Sequence, residues 1–372
     1  MAAAVTSYTS DKIKIIGLIL TIAVVFHHAH NLQFASGHPN AAVRFTESFF
    51  HYGLRGLAVP FFFVCSGYFL CARANFTAAW PGEIRKRTRS LLVPFLVWSG
   101  GWIVVMWILQ SIPQLAPYFG RDQISMSHPA QIVDLMTFDP IPHPLWYMRD
   151  LFLLTLLSPL VVWAMSRRWS AAIYLTGAAA LYYSVPSIEV REAEDLLFFG
   201  LGVGLAVKQW TVPAVPRAVA WSLLFAGLAL ISYHAWWVDT RHQESPWILN
   251  TAVLFCLPGI WWSYDSVATW LRVPAMLAAS EFALFVYMGH EPLLTIMRKG
   301  LLRLSGETSV GLVTVWAGTG LAMVLGLSLV AWMLRTWLPG IYGLLTGGRL
   351  KRLGTPARSP APAAVGISTA TM

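Results

Sequence analysis

Residues 13–33 read IKIIGLILTIAVVFHHAHNLQ. Between Lys14 and His27 the run is apolar apart from Gly17 and Thr21. With its flanks it reaches the roughly 20 residues that a helix needs to cross the hydrocarbon core of a bilayer. The pattern recurs outward along the chain. Apolar windows lie near 49–71, 91–111, 145–165, 170–187, 194–209, 217–238, 247–264, 275–298 and 309–334, separated by clusters of charge. The 372 residues are 56% hydrophobic and only 12% charged, where a soluble domain carries about a quarter. Eighteen Trp and twelve Tyr, many near segment ends, suit the interfacial belts of a membrane. The sequence therefore predicts an all-α, polytopic integral membrane bundle of about ten transmembrane helices.

Orientation follows from the Lys and Arg bias of the short loops. Lys12, Lys14, Arg85, Lys86, Arg87, Arg89, Arg167, Arg168, Lys208, Arg217, Arg272, Arg335 and Arg349 fall on one side if both termini are cytoplasmic. Glu189 to Asp195, Asp239 and Glu244 then face outward. The expected organisation is a cytoplasmic N-terminus at residues 1–12, the transmembrane domain at 13–335, and a cytoplasmic, largely disordered tail at 336–372. From Gly354 on, a Pro/Ala/Ser/Thr-rich composition predicts disorder. The first apolar run reads as a retained span rather than a cleaved leader, and no internal repeat or attached soluble domain is visible. The net charge of +9 is spread over loops between apolar spans, which argues for topology and against a nucleic-acid partner. Cys65, Cys71 and Cys256 lie in apolar stretches and read as buried thiols, not as a disulfide or metal framework. The Pro-rich loop 112–144 is long enough to act as a lid or binding element.

Polar groups inside spans are expensive unless they are paired or face water. VVFHHAHN at 24–31 places His27, His28 and His30 near the end of the first span. They read as a general base, as a metal pair on one helical face, or as an interfacial polar cluster. No Cys, Asp or Glu follows at ligand spacing, so no metal site is assigned. HYGLRGLAVPFFFVCSGYFL at 51–70 brings Arg55 and Ser66-Gly67; snorkelling of Arg55 and close helix packing at the small residues are the simpler readings. Arg85, Lys86, Arg87 and Arg89 are either a topology signal that touches anionic lipid or a phosphate-binding patch. HPLWYMRD at 143–150 brings Trp146, Arg149 and Asp150. As neighbours on a helix, Arg149 and Asp150 are expected to seek separate partners. Ser280 and FVYMGHEPLL at 285–294 add Tyr287, His290 and Glu291, with Tyr287 and Glu291 four apart on one face and Pro292 freeing a carbonyl. So many polar residues within spans predict a polar cavity.

The order of these motifs resembles the membrane-bound acyltransferase 3 family, which includes bacterial O-acetyltransferases of surface polysaccharides. Lys14 with FHH at 26–28, PFFFVCSGYF at 60–69, RKRTRSLLVPF at 85–95, HPLWYM at 143–148 and Ser280 to His290 are similar to its successive elements, over residues 11 to 335. The family usually has a shorter spacing than the twelve residues between Lys14 and His27. At 100° per residue His27 lies about 140° from Lys14, and His28 within about 40°. Either Lys14 is not the equivalent basic residue, the helix is irregular, or His28 is the active one; the place after VVF favours His27.

The resemblance implies transfer of an acyl group, usually acetyl from acetyl-CoA, to a hydroxyl of an extracytoplasmic glycan or glycoside, at a bacterial cytoplasmic (inner) membrane. It implies no permanently bound cofactor, the acyl-CoA being a donor substrate. His27 or His28 would serve as base, with Arg149, Tyr287 or His290 as oxyanion donors. Lys14, Arg85, Lys86, Arg87 and Arg89 would hold the donor. Arg55, Ser66, Trp146, Asp150 and Glu291 would meet substrate. Direct transfer and an acyl-histidine intermediate are both open. A transporter or flippase for a lipid-linked sugar or small solute is the rival, since intramembrane His, Arg and Glu are natural there too; a catalytically silent membrane scaffold is a third reading. Nothing in the sequence specifies an oligomeric state.

Overall fold

The computed structural model describes residues 6–31, 40–72, 76–119, 123–184, 191–210, 212–306 and 308–349. Among these every regular element is helical. In chain order they are α1 (Ser7–His28), α2 (Ala41–Ser48), α3 (Arg55–Cys71), α4 (Phe76–Arg87), α5 (Val93–Ser111), α6 (Ala116–Phe119), α7 (Pro129–Thr137), α8 (Trp146–Ser166), α9 (Arg168–Ser184), α10 (Arg191–Val207), α11 (Arg217–Arg241), α12 (Pro246–Leu271), α13 (Pro274–Ser280), α14 (Ala283–Gly289), α15 (Leu293–Ser305), α16 (Ser309–Trp337) and α17 (Pro339–Thr346). Wide π-helical turns at Phe49–Leu54 and Thr88–Leu92 join α2 to α3 and α4 to α5.

Among the described residues, five helical stretches are long and apolar enough to cross a membrane: Ala41–Cys71, Ala79–Ser111, His143–Ser166, Arg217–Arg241 and Ser309–Trp337. They contain five of the expected spans. Leu160, Trp163, Phe225 and Leu325 on these helices are all more than half exposed. A soluble helix would turn such residues to its core, whereas a lipid-facing helix has no reason to hide them. The expected ninth span, 275–298, is not one helix but three short ones. The chain turns at Glu281-Phe282 and again at Glu291-Pro292. Proline has no N–H to continue a helix and clashes with the preceding turn, which accounts for the second break.

α1 is the hub. Thr6 caps its N-terminus by accepting from the Thr9 amide, and its sides pack on α3, α12, α13, α14 and α16. α3 and α10 cross closely. A methyl group on Gly67 would strike the Phe199 carbonyl, and one on Gly202 would strike the Val64 carbonyl. Gly67 thus serves packing, as small residues do wherever two membrane helices touch.

One further expectation changes. The acidic segment opening the sixth span is expected from the sequence as an outward loop. From Arg191 on it is the first turn of α10, with Asp195 buried, as the helix dipole favours for acidic residues near an N-terminus; Glu189 lies outside the described residues. The segment after residue 335, expected as a cytoplasmic tail, carries a short helix near its start. Pro339 opens α17 and Gly347, in the left-handed region at φ 70°, closes it; the Pro/Ala-rich stretch from Gly354 lies outside the described residues.

Candidate functional site

A cavity of about 570 Å³ opens beside α1. One helical stripe of α1 lines it: Lys14, Gly17 and Thr21, at the three- and four-residue spacing that puts side chains on one face. Opposite stand Phe62 and Ser66 of α3, Tyr147 and Met148 of α8, and Tyr287 of α14. Its mouth is basic. Lys14, Arg87, Arg335 and Arg349 all reach it, with Glu281 as the acidic exception. Glu281 is already engaged, since Arg335 donates to its carboxylate at 2.6 Å. Lys14 lies 3.3 Å from Asp11, and Arg87 3.9 Å from Glu83. Arg349 lines the cavity while its side chain remains exposed to solvent. Crowding by the surrounding protein, and then the charge of Arg87, hold its guanidinium below the ordinary value. An anion entering between them would relieve both effects.

The sequence-predicted donor residues divide here. Lys14 and Arg87 line the cavity, whereas Arg85, Lys86 and Arg89 are exposed on α4 and the turn after it, and Lys86 sits 3.6 Å from Glu83. A helix turns successive side chains by 100°, so a basic run can offer only some members to one site. The sequence assigns Arg335 and Arg349 to topology and not to the site; an arginine closing the last apolar run is the signal that marks Arg335.

Along α1 the same face continues to His28. The helix is α-helical throughout Ser7–His28, which removes the irregular-helix explanation of the spacing. Lys14, Thr21 and His28 recur every seven residues, within about 40° of one another, over roughly 21 Å of helix. The His28 ring lies 5.1 Å from that of His290, and His290 in turn 6.2 Å from Tyr287 at the cavity wall. Arg298 donates to the His28 carbonyl at 3.4 Å. His27 points elsewhere. It is buried and stacked 4.7 Å from His51, on the π-helical turn before α3, and His51 lies 3.9 Å from His30. Five imidazoles therefore gather around the end of α1. The arrangement of His51 came from a fold contact that spacing along the chain does not encode. Among the described residues no three His, Cys, Asp or Glu side chains are placed to hold a metal ion.

Other sequence-predicted residues fall away from the cavity. Arg149 does pair with its neighbour Asp150, at 2.6 Å, contrary to expectation. Adjacent side chains diverge at their Cβ atoms, but the arginine stem is long enough to curl back. The same guanidinium donates to the carbonyls of Thr137 and Phe138 at 3.2 and 2.9 Å, so it anchors the end of α7, within the loop 112–144. Trp146 is half-buried beside Tyr147, ring centroids 6.5 Å apart; Tyr147, not Trp146, faces the cavity. Tyr147 and Ser66 hydroxyls lie 3.4 Å apart. The Tyr287 hydroxyl donates to the carbonyl of Pro144. Glu291 does not share a face with Tyr287, because α14 ends at Gly289; its carboxylate accepts instead from Thr295 at 2.9 Å. The Arg55 side chain lies outside the described residues.

The cavity thus brings cationic side chains together with tyrosine and serine hydroxyls, and His28 lies beyond its lining, further along the same face of α1. A family model described as an acyltransferase domain matches residues 13–335. The succinoglycan biosynthesis protein ExoH of Rhizobium meliloti (strain 1021) is 24% identical over 304 residues, which cover 77% of this chain and 79% of that protein. No solved structure matches.

Proposed function

The chain belongs to the acyltransferase 3 family, and on that premise we propose that it moves an acetyl group from acetyl-CoA to a hydroxyl of an extracytoplasmic polysaccharide. It does so in the bacterial inner membrane, with both termini in the cytoplasm. The observation that carries this reading is the single stripe of α1 that joins a basic cavity mouth at Lys14 to an imidazole at His28. A coenzyme thioester is a polyanion at one end and a reactive carbonyl at the other, joined by a long linear arm. The diphosphate meets Lys14, Arg87 and Arg349 from the cytoplasmic side, and the arm runs along Gly17 and Thr21. Arginine suits phosphate because its planar fork donates two hydrogen bonds at once.

His28 is the base. An alcohol is a weak nucleophile until its proton is removed during attack. As the alcohol oxygen bonds to the thioester carbonyl carbon, His28 takes the hydroxyl proton. The C–S bond then breaks and the proton passes to the departing sulfur, so the products are the ester and the free thiol. The hydroxyls of Tyr147 and Ser66 are the donors available to the carbonyl oxygen as it gains charge. The acceptor comes from the opposite face of the membrane. A polysaccharide acceptor is supported by the pathway named for the Rhizobium relative.

Sidedness tests the reading. Inside-out membrane vesicles loaded with polysaccharide from a strain lacking the protein should transfer radiolabel from external acetyl-CoA, and right-side-out vesicles should not. Label incorporated only from the opposite face would overturn the topology. Transfer from succinyl-CoA and not acetyl-CoA would overturn the donor. Polysaccharide that crosses the membrane without acquiring label would restore a transport function.

A further inference from the structure

His290 is completely buried, and its ring is fixed from one side. Nδ1 lies 2.7 Å from the Tyr287 carbonyl oxygen and 3.2 Å from that of Val286. A carbonyl can only accept a hydrogen bond, so Nδ1 carries the proton. In the neutral ring Nε2 is then a lone-pair acceptor, which rules it out as a hydrogen-bond donor to an oxyanion. Nε2 is buried and, among the described residues, has no hydrogen-bond partner. A buried polar atom without a partner in a folded protein calls for an explanation.

The neighbouring ring supplies one. His28, half-buried on the cavity face of α1, stands with its ring centroid 5.1 Å from that of His290 and tilted by 50°. From that spacing a modest side-chain rotation closes an N–H···N hydrogen bond, and catalytic contacts are commonly longer before substrate arrives. We propose that His290 is the positioning residue for His28: its Nε2 accepts one N–H of His28 and so leaves the other ring nitrogen of His28 unprotonated toward the acceptor hydroxyl. The break after Gly289 is what makes this possible. The ring stays on the last carbonyls of α14 while the chain turns away at Glu291-Pro292. His290 exchanges no proton with substrate. Its part is that of the third group in a nucleophile–base–orienter array, which selects a tautomer and holds a ring in line.

This rests on the reading of His28 as the base, and the experiment separates the two. Acetyl transfer is measured in membrane vesicles with radiolabelled acetyl-CoA and polysaccharide from a strain lacking the protein, for the wild type and for His28→Ala, His290→Asn, His290→Gln and His290→Met. Asparagine keeps a donor near the Nδ1 position but has nothing at Nε2. Glutamine can place an acceptor oxygen there, and methionine fills the space without either. His290→Asn and His290→Met should lower the maximal rate by about 10²–10⁴-fold with the KM for acetyl-CoA within about twofold, and His290→Gln should recover to within about tenfold of wild type. Full activity in His290→Asn, with His28→Ala inactive, overturns the positioning role alone. Equal losses in folded His290→Asn, His290→Met and His290→Gln also overturn it, because ring shape would then matter and not the acceptor. If His290→Asn does not fold, His290→Met against His290→Gln decides by the same comparison. Full activity in His28→Ala overturns the reading of the base itself.

Discussion

The hydroxyl of Tyr287 donates to the backbone carbonyl of Pro144. One bond thus ties α14, which leads to His290, to the short 3-10 turn His143–Leu145 that opens α8. Pro144 sits where the chain changes direction, and Tyr287 two residues before the end of a seven-residue helix, so neither position is fixed by a long continuous helix. Tyr287→Phe keeps the ring at the cavity wall and removes only this bond. Stability should fall by about 1 kcal/mol, visible as a lower unfolding midpoint in detergent, and acetyl transfer should drop several-fold with the KM for acetyl-CoA unchanged. A variant with wild-type stability and rate would make the contact incidental.

The basic mouth predicts a split within one charge cluster. Arg87→Gln and Arg349→Gln should each raise the KM for acetyl-CoA about tenfold or more, as expected for losing a charge-assisted hydrogen bond of about 1.5–3 kcal/mol. Arg85→Gln, Lys86→Gln and Arg89→Gln should change it less than about twofold, since those side chains are exposed and away from the cavity. Added salt should raise the wild-type KM. Equal effects from all five would return the cluster to a general membrane or topology signal.

Arg149 is predicted to anchor the loop, because its guanidinium is held by Asp150 and by the carbonyls of Thr137 and Phe138. Arg149→Ala should speed limited proteolysis within residues 112–142 and leave the KM for acetyl-CoA unaltered. Unchanged proteolysis with an abolished rate would instead place it at the reacting atoms.

Close approach of α3 and α10 predicts that Gly202→Ala is destabilising by about 1–3 kcal/mol, measured by thermal unfolding of the detergent-solubilised protein. Gly101→Ala is the control. Nothing lies within 4 Å of a methyl group there, and alanine favours the helix, so stability should hold or rise.

Much of this was legible in the sequence. The apolar windows and the interfacial aromatics gave a helical membrane protein, and motif order gave the family. The angle between Lys14 and His28 follows from their spacing alone, because α1 is regular. What spacing could not supply was which helix brings the second wall. Tyr342 and Arg349 come to the cavity because α17 folds back beside α5, where Trp98 donates to the Leu345 carbonyl at 3.1 Å. The Arg149–Asp150 pair was misread for a simpler reason. Helical periodicity fixes where a side chain starts and says little about where a long flexible one ends. Tyr287 and Glu291 were placed on one face by assuming a continuous helix, although Pro292 already signalled that it stops.

The account stands or falls on which imidazole of α1 handles the proton. The deciding measurement is the rate of acetyl transfer from radiolabelled acetyl-CoA by folded, membrane-inserted His28→Ala and His27→Ala. His28→Ala should lose about 10²–10⁴-fold and His27→Ala less than about tenfold, since His27 is packed against His51 away from the Lys14–Thr21 face. Wild-type turnover in His28→Ala, or a complete loss confined to His27→Ala, would contradict it.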